Sequence, residues 1–269
     1  MMDGQTWYWD RKKRDEQAET ASERLLGEEG RVFAAAMEAI DAVLDAAFGD
    51  RSIDDLAEKA KAAIAYRSRD LLWSAWREMV AARYDTATEH WRSITESPHF
   101  LRAITVKPEL AKEWINGRLK IKAAWRAQRD RLRDAGHYET ADSWHRILSG
   151  DAGMIHPFSH VTIESAVATM PIAKSAEGQP EAFVLGGAIS DQMATRIGLY
   201  LAYEAIVTLH TCAFAFQQVP AVDELWDQRC EAIYKEGIRA LERRYDDLGL
   251  AAALDGEMPM TGKEQLGGE

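Results

Sequence analysis

The densest group of chemically capable side chains is His156-Pro157-Phe158-Ser159-His160. With Pro157 at the first helical position, where a missing N–H costs nothing, His156 sits at the cap and His160 about one turn on. Imidazoles four apart on a helix point their Nε2 atoms the same way and can share a metal ion. A metal needs more ligands. Asp151, Glu164 and Glu204 offer carboxylates, but nothing in their spacing joins them to the pair, and HExxH is absent. Alternatively, the histidines serve acid–base chemistry or hold a small ligand. The plainest alternative is a helix start whose polar side chains satisfy backbone donors. No cofactor is expected.

A second group lies on a mostly apolar stretch. Arg196, Tyr200, Glu204, Thr208 and Thr211 follow steps of four, four, four and three, so they share one helix face. A charge there is costly unless paired, so Glu204 is expected to meet a cation from another helix, with Arg92, Arg146 and His156 as candidates. Arg92 and Glu96 are themselves one turn apart and can pair. If the His-Pro turn faces them, Arg92, Glu96, Arg146, His156, His160 and Glu204 form one polar cluster. Such a cluster either fixes helix register or floors a binding site.

A third group is cationic. Arg118, Lys122, Arg126, Arg129 and Arg133 follow steps of four, four, three and four, which is again one face. Residues 118–133 carry a net charge of +6 in a chain of net charge -11, leaving -17 on the rest. Such a row can track phosphates, contact an acidic protein surface, or simply be solvated.

The elements that must position these groups read as helices. Phe33, Met37, Ile40, Leu44 and Phe48 make one stripe, ended by Gly49-Asp50. Ser52-Ile53-Asp54-Asp55 resembles a capping box for the next helix, whose second half (Leu71, Leu72, Trp73, Trp76, Met79, Val80) is apolar almost all round. Further helices are predicted over about 85–104, from Pro108 to about 135, over about 139–148, over about 190–218, and beyond Pro220. Between Met170 and Gly187 the pattern lapses, with Phe183-Val184-Leu185 as a short strand or core plug. The expectation is an all-α, single-domain bundle of about seven or eight helices with one long irregular loop near 170–188. Residues 1–14 form an N-terminal arm, 15–250 the bundle, and 255–269 a disordered tail.

Composition narrows the classes. The net charge disfavours whole-molecule attraction to nucleic acid or to an anionic membrane. Residues 197–216 are long and apolar, but Glu204 and His210 would be costly in lipid, so the stretch reads as a core helix and no membrane partner is expected. Two cysteines form no framework, Cys212 reads as a small buried hydrophobe, and a reducing cytoplasm fits. There is no GxxxxGK[ST], no GxGxxG after a strand, no GxSxG and no CxxC, so nucleotide folds and Ser or Cys hydrolases lack their signatures.

Two short motifs carry a resemblance. His90-Trp91-Arg92-Ser93-Ile94-Thr95-Glu96-Ser97, and Trp144-His145-Arg146-Ile147-Leu148-Ser149 followed by Ile155-His156-Pro157, resemble paired motifs of a group of bacterial helical proteins. Those proteins are similar to HEPN-type four-helix domains. The resemblance covers about residues 60–215 and implies a helical bundle with the Arg92 helix near the histidine turn. It also implies, for members that are ribonucleases, an Arg-x4-6-His pair. This chain departs from that spacing: nine residues separate Arg146 from His156, and three separate Arg133 from His137. The leading expectation is therefore a HEPN-like protein acting through protein or nucleic-acid interaction, with RNA or an acidic partner on the basic face and pairing into a homodimer by analogy. The second is an RNA-directed nuclease or defence component, with His156 as acid or base and Arg92 or Arg146 steadying phosphorane charge. The third is metal or small-ligand binding at His156 and His160.

Overall fold

The computed structural model describes residues 4–49, 52–140, 172–174, 180–183 and 191–247. Across them the architecture is all-helical apart from one antiparallel ribbon. In chain order the helices are α1 (Gly4–Leu25), α2 (Glu28–Phe48), α3 (Leu56–Val80), α4 (Tyr84–Glu89), α5 (Trp91–Val106), α6 (Leu110–Ile115) and α7 (Ile121–Asp134). After the ribbon come α8 (Asp191–Phe216), α9 (Pro220–Leu225) and α10 (Glu231–Asp247), the last two joined by a π-helical turn, Trp226–Cys230. The ribbon pairs β1 (Ile172–Lys174) with β2 (Pro180–Phe183), with Ile172 opposite Phe183. The stretch expected to be irregular near 170–188 thus holds paired backbone, and the strand ends at Phe183 rather than beginning there.

Local chemistry accounts for the boundaries. The predicted α2 stripe is buried from Phe33 to Phe48. Gly49, at φ +24°, closes it by donating its N–H to the Asp45 carbonyl at 2.8 Å. The start of α3 falls three residues later than the Ser52 box predicts. Asp55 is the cap, accepting the Glu58 N–H at 2.9 Å, because Asp55 and not Ser52 directly precedes the apolar run. Two predicted helices are each split. The 85–104 helix breaks at His90, and the 108–135 helix breaks at Asn116-Gly117, where Gly117 takes φ +67°. These breaks, with α9 set off by the π-turn, give ten α-helices among the described residues instead of seven or eight. The three extra pieces (α4, α6, α9) are six residues each. The segment set apart as an arm is helical from Gly4 and merges into α1, where Asp15 bonds Arg83 at 3.0 Å. The second half of α3 is not buried all round: Leu72 and Met79 are, while Trp73 is 48% exposed.

The core is a layered packing around α8. This helix is long and apolar enough to cross a bilayer, and 72% of that stretch is buried inside the protein. α2, α3, α5 and α10 cover it. Ile197, Leu199, Leu201, Ile206 and Leu209 are buried there, and Phe33 stacks on Trp76 at 4.0 Å between α2 and α3. The approach of α10 needs a glycine. A Cβ on Gly237 would lie 2.6 Å from Ile206 Cδ1 and 3.3 Å from Val32 Cγ1. Beside it Glu29, fully buried on α2, accepts from Arg244 Nε at 3.2 Å and from its Nη2 at 3.5 Å. One charge-assisted pair therefore ties α10 to the centre.

Candidate functional site

α7 rests on α5 through small residues. Ala124 and Ala127 are buried against Ala103 and Phe100, and the Gln128 amide donates to the His99 carbonyl at 3.0 Å. An alanine seam lets the two backbones approach and turns the opposite arc of the helix outward. On that arc lie Lys122, Arg126, Arg129 and Arg133, within roughly 60° of one another at 100° per residue. Lys122, Arg126 and Arg133 are exposed. Arg129 is half-buried and leans on Asp130 at 3.0 Å. Arg118, predicted on the same face, lies instead in the turn before α7 and meets Glu113 at 3.6 Å, because Gly117 interrupts the helix. The continuous row is thus Lys122 to Arg133. Arg131, off the row, lies over the Phe214 ring of α8 at 4.7 Å.

The second candidate region is the seam between α5 and α8. Glu204 is buried and accepts from Thr95 Oγ1 at 3.4 Å, while the same hydroxyl makes a short contact to the Tyr200 phenol. Trp91 packs on the Tyr200 ring at 4.6 Å. Thr211 returns its hydroxyl to the Val207 carbonyl at 2.7 Å, and Arg196 is exposed at the outer end of the stripe. Arg92 does reach Glu96, at 2.9 Å, but as a surface pair with the arginine 53% exposed. It is therefore not part of a buried cluster with Glu204. One turn beyond Glu204 the seam holds a pair that sequence reasoning did not assemble: Arg102 of α5 donates from Nη2 to Nδ1 of His210 at 3.1 Å.

A guanidinium can only donate, so His210 Nδ1 must be the acceptor and its proton must sit on Nε2. Burial, then the charge of Arg102, holds this imidazole down at about 4. His99, buried one turn from Arg102, is held at about 4 for the same two reasons, in the same order. Burial also works against the charge of Arg102, while Tyr234, Tyr203 and Glu204 offset it. Glu204 thus lies within the electrostatic reach of Arg102, while Arg92 pairs with Glu96 at the surface. The region thus holds two neutral imidazoles around one guanidinium at neutral pH, an arrangement suited to holding geometry and presenting an N–H rather than to moving protons.

His210 also opens onto a cleft. It lines a cavity of about 140 Å3 with Phe214, Gln217, Asp223 and Trp226. Trp226 meets His210 edge-on at 5.6 Å, and Tyr234 tilts over the same ring at 5.0 Å. The π-turn builds this wall. Glu231 donates its N–H to the Trp226 carbonyl five residues back, so the rod from Pro220 to Asp247 holds one residue more than α geometry allows.

His156, His160 and Arg146 lie outside the described residues, as do the loop residues around the ribbon and the tail from 255. Among the described residues no group of three or more His, Cys, Asp or Glu is placed to hold a metal. The signal for the Arg102–His210 pair was present only in part. Each is one polar residue among several on its helix, and their meeting depends on how α5 and α8 are aligned. Comparison of the chain with protein-family models, with curated proteins and with solved structures gave no match.

Proposed function

We propose that this protein is a non-catalytic, HEPN-like helical module that binds RNA through the outer arc of α7. The observation that carries the reading is the uninterrupted row Lys122, Arg126, Arg129 and Arg133 on a helix whose other side is committed to α5. The row rises about 1.5 Å per residue, so successive cations are spaced by about 4–6 Å along the axis. Phosphates repeating along a strand are the anions that match such a row, and the -17 carried elsewhere turns other surfaces away from a polyanion. The HEPN-like resemblance rests on two short motifs, of which His90–Ser97 opens α5, the helix that seats α7, and the second, over 144–157, lies outside the described residues. A binding role is favoured over nuclease chemistry because the chain departs from the Arg-x4-6-His spacing, with nine residues between Arg146 and His156.

The test is equilibrium binding of a fluorescent single-stranded RNA across a salt series. Three to four phosphate contacts give a slope of log K against log salt of about -2 to -3, at roughly -0.7 per contact. Lys122→Glu with Arg126→Glu is expected to lower the slope by more than one and weaken binding at least tenfold. Affinity indifferent to salt, or unchanged by the double reversal, overturns the reading.

A further inference from the structure

We infer that the cleft between α8 and the π-turn is a nucleobase pocket, in which a base stacks on Trp226 while His210 Nε2–H and the Asp223 carboxylate read its edge. This rests on the RNA reading for its partner and adds a second, chemically different contact to it.

Size comes first. At about 140 Å3 the cleft is well below the roughly 300–1,000 Å3 of sites for drug-sized ligands, so it admits one small ring system. Its walls suit a flat ring: Trp226 and Phe214 are half-buried and present aromatic faces beside His210. Stacking of this kind does not depend on the identity of the base. Its polar groups suit an edge that both donates and accepts. Arg102 fixes the His210 tautomer so that Nε2 carries a proton, and Asp223 is exposed at the mouth as an acceptor. Every nucleobase edge offers such a donor and acceptor, whereas a bare phosphate offers only acceptors.

Position supplies the link to α7. Arg131 lies over Phe214, which itself lines the cleft, so α7 and the pocket share a wall, with the cation row on the opposite arc of the same helix. On the pocket's side Asp223, Glu224 and Asp227 are exposed carboxylates, which repel phosphate and leave the backbone to α7. A π-turn inside a longer helix often marks a functional site, and here it is the turn that sets Trp226 against His210.

The experiment compares an adenylate oligomer with an abasic ribose-phosphate oligomer of the same length. Wild type is expected to prefer the adenylate oligomer about tenfold, the scale of one stacked base. Trp226→Leu, which removes the stacking face, is expected to erase most of that preference with the salt slope unchanged, while Asp223→Ala, on the surface and outside the core, and His210→Phe, which keeps a ring but loses the N–H, are each expected to reduce it. Equal affinity for the two oligomers overturns the pocket and leaves the α7 reading standing. If neither oligomer binds, the α7 reading falls and the pocket is judged on free adenosine: it stands if adenosine shifts the His210 ring resonances in NMR and fails if it does not.

Discussion

A buried site decides the state of the titratable groups within it. Burial, then the charge of Arg102, keeps both His99 and His210 neutral, and the consequence is measurable in stability. Each imidazole takes its proton only near pH 4 in the folded protein but at about 6.5 when unfolded. Between those values the unfolded chain binds more protons. Stability is therefore unaffected by these groups above pH 6.5 and falls as the pH drops towards 4. For the buried His99 the loss is on the order of 3 kcal/mol. Denaturant titrations at a series of pH values should show this acid limb, and His99→Gln should flatten it. An unchanged limb in that variant would assign it to other groups. The sequence carried part of this. The burial of Glu204 follows from the apolar period around it, whereas the nearness of Arg102 could not be found there. Arg102 looks like any other polar residue of α5 until α8 is laid against it.

At the scale of elements a buried carboxylate helps to join the bundle: Glu29 of α2 meets Arg244 of α10, 215 positions away. Removing Arg244 alone leaves Glu29 charged and without solvent, a loss of about 3–5 kcal/mol. Arg244→Met should show it as a lowered denaturation midpoint. Replacing both residues, Glu29→Leu with Arg244→Met, should recover most of the loss, since the pair's attraction is offset by the cost of desolvating it. If the double variant is as unstable as the single, the pair's own attraction and not the orphaned charge is what counts. Helix existence was legible wherever the apolar period ran unbroken, as in α2 and α8. Helix ends were less so. The break at Asn116-Gly117 hides inside a pattern that otherwise scans as helix, and it removes Arg118 from the row it completes on paper. The π-turn was invisible for a related reason: one extra residue shifts a period without abolishing it.

The whole molecule is an acidic body with one basic helix on its flank. On the RNA-binding reading proposed above, nucleic acid approaching such a particle would be turned away over most of the surface and admitted along α7, so the field would select an orientation before contact is made. That asymmetry was legible from composition alone. The aromatic wall against the other side of α7 was not, because Phe214, Trp226 and His210 come from a different part of the chain and meet α7 through Arg131. Both cysteines are buried, and burial pushes the Cys212 thiol up to about 12, so neither is suited to redox chemistry in the folded state.

The surplus residue in the rod from Pro220 to Asp247 makes the protein a natural site for a length polymorphism. Excising Asp227, which is exposed, lets the backbone close with ordinary spacing while Val222 and Cys230 keep their inward seats. Such a shortened chain should melt within roughly 4 °C of its parent, the scale of about 1 kcal/mol in a protein of this size. The indole at 226 would keep its place one turn after Val222, while Tyr234, beyond the excision, would turn relative to it, so the two rings would no longer meet His210 together.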